Sequence, residues 1–173
     1  MGSLADHEPV KLIIGLLARP EFLEKALDVL SEKIGRIDYK SSIIDFNTTR
    51  YYEPEMGPGL KRCFIGFAGF IGPEKLPDIK LKTNDIESDF FTFQNRRVVN
   101  IDPGYLSLSK FVLATTKDHQ HRIYLDKGIF AEVTLRYRDK SFRPWEWTYI
   151  DYCKQEYINI FNHLRNEFLK KGR

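Results

Sequence analysis

Val10-Lys11-Leu12-Ile13-Ile14-Gly15-Leu16-Leu17-Ala18 is an almost unbroken apolar run that ends just before Arg19-Pro20. So short a run, closed by a proline, predicts a strand buried on both faces rather than a helix. A helix follows. Pro20 suits its first turn, Glu21 and Glu24 suit its positive end, and Leu23, Ala26, Leu27, Leu30 and Ile34 recur at helical spacing before Gly35. Beyond it the chain reads as a strand over about 42–48, a polar loop through Tyr51-Tyr52-Glu53-Pro54-Glu55-Met56-Gly57-Pro58-Gly59, and an apolar strand over 61–70. Residues 74–91 predict a second helix with Ile79, Thr83, Ile86 and Phe90 on one face, and residues 96–101 a further strand. The order β-α-β-β-α-β predicts an α+β protein with a ferredoxin-like core over about 10–101.

The remaining chain extends that core. Residues 121–125 and 129–137 flank Asp126-Lys127-Gly128 and predict a β-hairpin over about 120–137, with Gly128 in the left-handed position of a bulged turn. With Leu125 opposite Ile129, the residues Ile123, Leu125, Ile129, Ala131 and Val133 fall on a core face, and Arg122, Tyr124, Phe130 and Glu132 on the other. Arg122 and Glu132 then oppose each other as a cross-strand ion pair. Asp102-Pro103-Gly104 reads as a turn. Thr148-Tyr149-Ile150-Asp151 reads as the capping box of a C-terminal helix that directs Tyr157, Ile160, Phe161, Leu164 and Phe168 inward.

Composition narrows the class. A chain of 173 residues, 42% hydrophobic and 14% aromatic, holds material for one substantial core, and no Pro-, Gly- or Ser-rich linker divides it. The expectation is a single domain over 1–173 with the polar, aperiodic residues 1–9 as a loose terminus. The 27 basic and 24 acidic residues are well mixed, with a formal charge of +3 and no basic stripe or module signature, which argues against a nucleic-acid partner. No apolar stretch approaches the roughly 20 residues that a bilayer-spanning helix needs, so no membrane partner is expected. Cys63 and Cys153 lie far apart, outside any metal-ligand spacing, and no secretory leader is visible. A cytoplasmic location with both thiols reduced follows.

Several long motifs resemble one family. Asn100-Ile101-Asp102-Pro103-Gly104-Tyr105-Leu106, the run from Ala114 to Leu125, Tyr51 to Gly57, Thr83-Asn84-Asp85-Ile86-Glu87, Ala131-Glu132-Val133-Thr134-Leu135 and Trp147-Thr148-Tyr149 carry the resemblance. The chain is similar, over nearly its whole length, to an uncharacterised prokaryotic domain-of-unknown-function family, some of whose members carry the automatic label "GTP-binding protein". The resemblance implies kinship and brings no catalytic assignment. The residues do not support the label. A P-loop needs G-x-x-x-x-G-K-[ST], so that backbone N–H groups wrap the phosphates and a lysine reaches them, and no such segment occurs. Thr116-Lys117-Asp118 superficially resembles a guanine-reading TKxD motif but lacks the intervening residue.

Polar residues concentrate between Asn100 and Glu132. Asp102, His121 and Glu132 are the residues suited to proton transfer or to orienting a reacting group. Lys117 and Arg122 are suited to neutralising a phosphate or carboxylate, with Tyr52 and Glu53 as further ligand-binding residues. His119 and His121, two apart, would leave the same face of a strand and could seat a metal ion if a carboxylate completed the shell. The ordinary alternatives are a hydrogen-bonded strand histidine, a cross-strand ion pair, an Asp-Pro-Gly turn and solvated loop carboxylates. No nucleophile elbow is present around Ser107 or Ser109. Three readings follow: a domain that binds, and on an enzymatic reading acts on, a small anionic or phosphorylated ligand; a non-catalytic homo-oligomeric interaction protein; and a metal-assisted hydrolase using His119 and His121. No cofactor and no metal ligand set is assigned.

Overall fold

The computed structural model describes Gly2 and residues 6–171. Of the expected loose terminus, Met1 and residues 3–5 lie outside the described residues, while 6–9 are exposed and belong to no element. The elements in order are β1 (Lys11–Ala18), α1 (Pro20–Lys33), β2 (Ile37–Lys40), β3 (Ile44–Asp45), α2 (Glu53–Met56), β4 (Lys61–Phe67), a 3₁₀ turn (Pro73–Lys75), α3 (Leu76–Phe90), β5 (Thr92–Phe93) and β6 (Arg96–Arg97). There follow β7 (Val99–Leu106), β8 (Lys110–Thr115), β9 (Ile123–Asp126), β10 (Ile129–Arg138), β11 (Ser141–Pro144) and α4 (Gln155–Lys171). The protein is α+β.

A nine-stranded antiparallel sheet runs β11-β10-β8-β7-β1-β4-β2, with β3 added to β4 and β9 to β10. β1 is central and buried along its whole length, as its apolar run predicts. Its two faces diverge by the period-2 rule. Leu12, Ile14, Leu16 and Ala18 meet Leu23, Ala26 and Leu30 of α1, Ile86 of α3 and the apolar residues of β4 and β7. On the opposite face Ile13 joins Phe64, Leu106 and Phe111 beneath Tyr157, Phe161 and Leu164 of α4.

Several boundaries depart from expectation. The strand expected over 42–48 shrinks to the two-residue β3, and an unexpected strand, β2, precedes it at Ile37–Lys40, with Ile37 and Tyr39 half-buried and Asp38 and Lys40 exposed. Asp and Lys are poor strand formers, and pairing with β4 overrides that preference. The polar loop over 51–59 contains α2. The strand expected over 96–101 divides at Val98 into β6, which pairs with β5 in a separate two-stranded sheet, and β7, which runs on to Leu106; β8 and β11 lie outside the expected elements. The terminal helix starts at Gln155, seven residues after the expected cap at Thr148. Thr148 is occupied otherwise, accepting from Trp145 N at 2.8 Å and donating to Thr134 O at 2.6 Å.

The hairpin is present with a tighter turn. Lys127 and Gly128 both take positive φ, 51° and 77°, the pattern of a two-residue turn whose twist matches the strands. The register Phe130↔Tyr124 and Ala131↔Ile123 is the one expected, and a bulge near Leu125 sets Ile129 against Asp126 instead. The expected faces do not hold in β9, which is exposed throughout, whereas Glu132 and Thr134 of β10 are buried. β9 is an added edge strand with no layer over it, and β10 lies within the sheet.

Asp102-Pro103-Gly104 is no turn. The three residues lie inside β7, opposite Gly15, Ile14 and Ile13 of β1. The β7–β8 ladder spans only Gly104↔Leu113 to Leu106↔Phe111. It stops at the residue before which the chain carries a proline, which has no N–H to continue a ladder. Gly104 lets β8 come close: a Cβ there would lie 2.4 Å from Val112 O and 2.9 Å from the Phe111 ring. The sheet therefore forks between the start of β7 and the end of β8.

Candidate functional site

A cleft of about 680 Å³ occupies that fork. Asn100 and Asp102 of β7 line one side, Leu113, Ala114 and Thr115 of β8 with Glu132 of β10 the other, and Lys80 and Asn84, one turn apart in α3, close it from one face of the sheet. From the other face come Tyr51 and Tyr52 ahead of α2, Arg62 of β4, and Tyr149, Ile150, Asp151 and Tyr152 from the segment before α4. The lining carries five cations, Arg62, Lys80, Arg97, Lys117 and Arg122, against three carboxylates, Asp102, Glu132 and Asp151.

The floor is a buried charge network. Arg62, 2% exposed, stands between Asp102 Oδ2 at 3.5 Å and Asp151 Oδ2 at 3.3 Å. Charge buried this deeply persists only when paired. Gly15 across the β1–β4 ladder leaves the room: a Cβ there would lie 2.9 Å from Tyr152 Oη and 3.1 Å from Arg62 Nη1. Burial pushes the Asp151 carboxyl above the usual range, against the pull of Arg62. Burial likewise pushes the phenols of Tyr52 and Tyr152 up, so both stay neutral.

Asp102 differs from its neighbours. Its side chain is 26% exposed and faces the cleft. Oδ2 accepts from Asn100 Nδ2 and lies near Arg62, whereas Oδ1 accepts no hydrogen bond and stands 3.9 Å from Lys80 Nζ. Lys80 Nζ donates to Ile101 O at 3.0 Å and has no carboxylate in hydrogen-bond reach. Further along α3, Glu87 accepts from the Ile101 N–H and from Arg97 Nη1 at 2.8 Å, and Arg97 also reaches Glu55 at 3.0 Å. Burial pushes the Glu87 carboxyl up, against Lys80 and Arg97.

The wall at the mouth is a second network. Arg122 Nε donates to Glu132 Oε2 at 2.9 Å, Nη1 to Lys117 O at 2.9 Å and Nη2 to Tyr149 Oη at 2.6 Å. Thr134 Oγ1 lies 3.3 Å from Glu132 Oε1, so both oxygens of this 1% exposed carboxylate are occupied. Lys117 Nζ donates to Tyr51 Oη at 3.0 Å and meets no carboxylate. That contact pulls the Tyr51 phenol below its ordinary value.

Of the residues singled out in the sequence, Asp102, Glu132, Lys117, His119, Arg122 and Tyr52 line this one cleft, and Glu53 does not. His121 stands behind the wall, its Nε2 3.4 Å from Glu132 Oε2 and its ring stacked on Trp147. His119 and His121 lie in the loop before β9 rather than in a strand, and their rings stack nearly parallel at 5.9 Å. Among the described residues no group of three or more His, Cys, Asp or Glu side chains is placed to hold a metal ion. Reading the sequence missed Arg62, Lys80, Glu87, Asn100 and Asp151. The signal was present for three of them: Arg62 interrupts an inward-facing strand, and Lys80 and Glu87 share the helix face of Thr83. A charge at a core position demands a partner.

The chain matches the family model described as Domain of unknown function (DUF4416) over residues 8–168, and it belongs to that family. No curated protein and no solved structure matches it. No helix among the described residues is long and apolar enough to cross a membrane.

Proposed function

We propose that this protein binds, and acts on, a small anionic or phosphorylated ligand in the cleft between β7 and β8. The observation that carries the reading is the pair Lys80 and Lys117, two cations on the cleft lining with no carboxylate in hydrogen-bond reach. Arg122, held by Glu132, adds positive potential to the wall. A concave site of this size with a few convergent polar groups is where a small molecule binds. Asp102, with one carboxylate oxygen free, is the group suited to accept a proton from the ligand. His121 and Glu132 act as positioning residues, since Glu132 orients Arg122 and His121 stands behind it.

The test is thermal unfolding with inorganic phosphate and a panel of phosphorylated metabolites. A ligand at a hundred times its dissociation constant adds about 2.7 kcal/mol to the folded state. Lys80→Met and Lys117→Ala should each weaken that stabilisation. A wild-type protein that no phosphorylated compound stabilises would sink the reading.

The first four long strands and two helices form, on this reading, a ferredoxin-like core, supported by the order β7-β1-β4-β2 with α1 and α3 sharing one face. A cytosolic site of action fits the free thiols of Cys63 and Cys153. One observation favours a second, non-catalytic reading as a homo-oligomer. β9 is an edge strand whose Ile123 is 72% exposed, with Tyr124 and Leu125 exposed beside it. Sedimentation at high protein concentration decides it, and a persistent monomer removes the support.

A further inference from the structure

The cleft carries two kinds of unused bonding capacity. One is cationic. Every arginine on the lining is committed: Arg62 to Asp102 and Asp151, Arg97 to Glu87 and Glu55, Arg122 to Glu132. The cations without a hydrogen-bonded carboxylate are lysines, Lys80 standing 3.9 Å from Asp102 Oδ1 and Lys117 bonded to Tyr51, and a lysine ammonium acts as a compact point charge with three rotatable donors. Lys80 uses one of its three, toward Ile101 O. Such groups can hold a phosphate dianion as point charges, without the planar geometry that an arginine fork imposes.

The other is anionic. Glu132 has both oxygens occupied, and Asp151 is buried against Arg62. Asp102 alone among the three carboxylates is both partly exposed and left with an oxygen that accepts no hydrogen bond. Asn100 and Arg62 fix its other oxygen, so Oδ1 is held toward the cleft rather than free to rotate away. A phosphate cannot bind there, because carboxylate and phosphate repel. A hydroxyl can, since it donates to the carboxylate while its own oxygen accepts from Lys80 beside it.

We infer that the ligand is a phosphate monoester of a hydroxylated carbon skeleton, a sugar phosphate or the sugar phosphate portion of a nucleotide, with Asp102 Oδ1 accepting from a hydroxyl, Lys80 donating to that same hydroxyl, and Lys117 holding the phosphate. This rests on the anion-site reading above and goes further by making Asp102 the specificity determinant.

Calorimetric titration separates the two. The probes are ethyl phosphate, ribose 5-phosphate, unphosphorylated ribose and a nucleoside 5′-monophosphate, each against wild type and Asp102→Asn. A hydrogen bond to a charged group sets the expectation that wild type binds ribose 5-phosphate at least about tenfold more tightly than ethyl phosphate. In Asp102→Asn that preference should shrink toward equality while ethyl phosphate binds as well or better, because a repelling charge has gone. Ribose alone should bind far more weakly than either phosphate. A nucleotide that binds more tightly than ribose 5-phosphate places its base on the tyrosines of the mouth, and equal affinity assigns the sugar phosphate alone. Equal binding of ethyl phosphate and ribose 5-phosphate by wild type overturns the inference and leaves the anion site intact. A preference that survives in a folded Asp102→Asn protein, judged by its urea midpoint, overturns the role of Asp102. If none of the phosphates binds, the anion-site reading falls and this inference with it.

Discussion

Strand β7 has two halves in different surroundings. From Gly104 to Leu106 it is clamped between β1 and β8, with Leu106 meeting Phe111 under α4 and Tyr105 packing beside Leu76 and Val112 on the other face. From Val99 to Asp102 it keeps β1 on one side while β8 has left the other; Val99 and Ile101 stay in the apolar core, and the polar Asn100 and Asp102 line the opening. The closed half is apolar on both faces, the open half apolar on one and charged on the other. The site thus arises from an interruption in a regular ladder rather than from an inserted loop, and Asp102-Pro103-Gly104 contains the pieces: a carboxylate for the opening, a missing donor where pairing ends, and a position with room for β8 to approach.

The largest effects should come from removing the centre of each half. Phe111→Ala should cost about 3–5 kcal/mol by opening a cavity under α4. Arg62→Met should cost a similar 3–5 kcal/mol for a different reason, since it leaves Asp102 and Asp151 facing each other without the guanidinium between them. Urea unfolding measures both, and rescue distinguishes them. Adding Asp102→Asn and Asp151→Asn to Arg62→Met should restore much of the loss, whereas nothing polar restores Phe111→Ala. A loss below about 1 kcal/mol for Arg62→Met would show that the floor is not a closed charge network.

The glycines sharpen the same contrast at a smaller scale, about 1–3 kcal/mol each by overpacking. Gly104→Ala presses a methyl group against the Val112 carbonyl, which is backbone, so β8 must shift. Gly15→Ala presses against the Tyr152 hydroxyl and the Arg62 guanidinium, which are ends of side chains. Gly104→Ala should therefore be the more costly, while Gly15→Ala should displace Arg62 and weaken phosphate binding more than its stability loss suggests. Equal stability losses with ligand binding unchanged in Gly15→Ala would remove the distinction.

The sequence revealed the closed half far better than the open one. β1, α1, β4 and α4 were legible because apolar residues at period 2 or 3.6 report the face that packs. The hairpin register was legible because Lys127-Gly128 admits a tight turn. The fork was not, because Asp-Pro-Gly has the same composition whether it turns the chain or ends a ladder, and only the path of β8 decides. β8 itself, Lys110–Thr115, carries the unbroken apolar run Phe111-Val112-Leu113-Ala114, yet it lay within a block read for its polar residues. Asp102, Lys117, Arg122 and Glu132 drew notice through their concentration, while Arg62 and Asp151 come from distant parts of the chain and meet only in the fold.

The finest test uses protons. Burial raises the carboxyls of Asp151, on the cleft lining, and of Glu87, further along α3, above their ordinary values. A raised folded-state value means that the native protein holds more protons than the unfolded chain between the two values, so stability falls as pH rises through that window. The contribution is fully present below the unfolded value of about 4 and is lost above the raised one. Exposed Asp45 and Asp78 have the opposite sign, because Lys61 and Lys127 lower them, and they lose stability as pH falls. Urea midpoints measured across the acid and neutral range should therefore show Asp151→Asn and Glu87→Gln gaining on wild type as pH rises, while Asp78→Asn gains on it as pH falls. The buried carboxyls of the cleft floor and of α3 would then be the groups that resist ionisation. Parallel profiles for wild type and Asp151→Asn would mean that Arg62 fully offsets the burial of its partner, and the floor would be a plain ion pair.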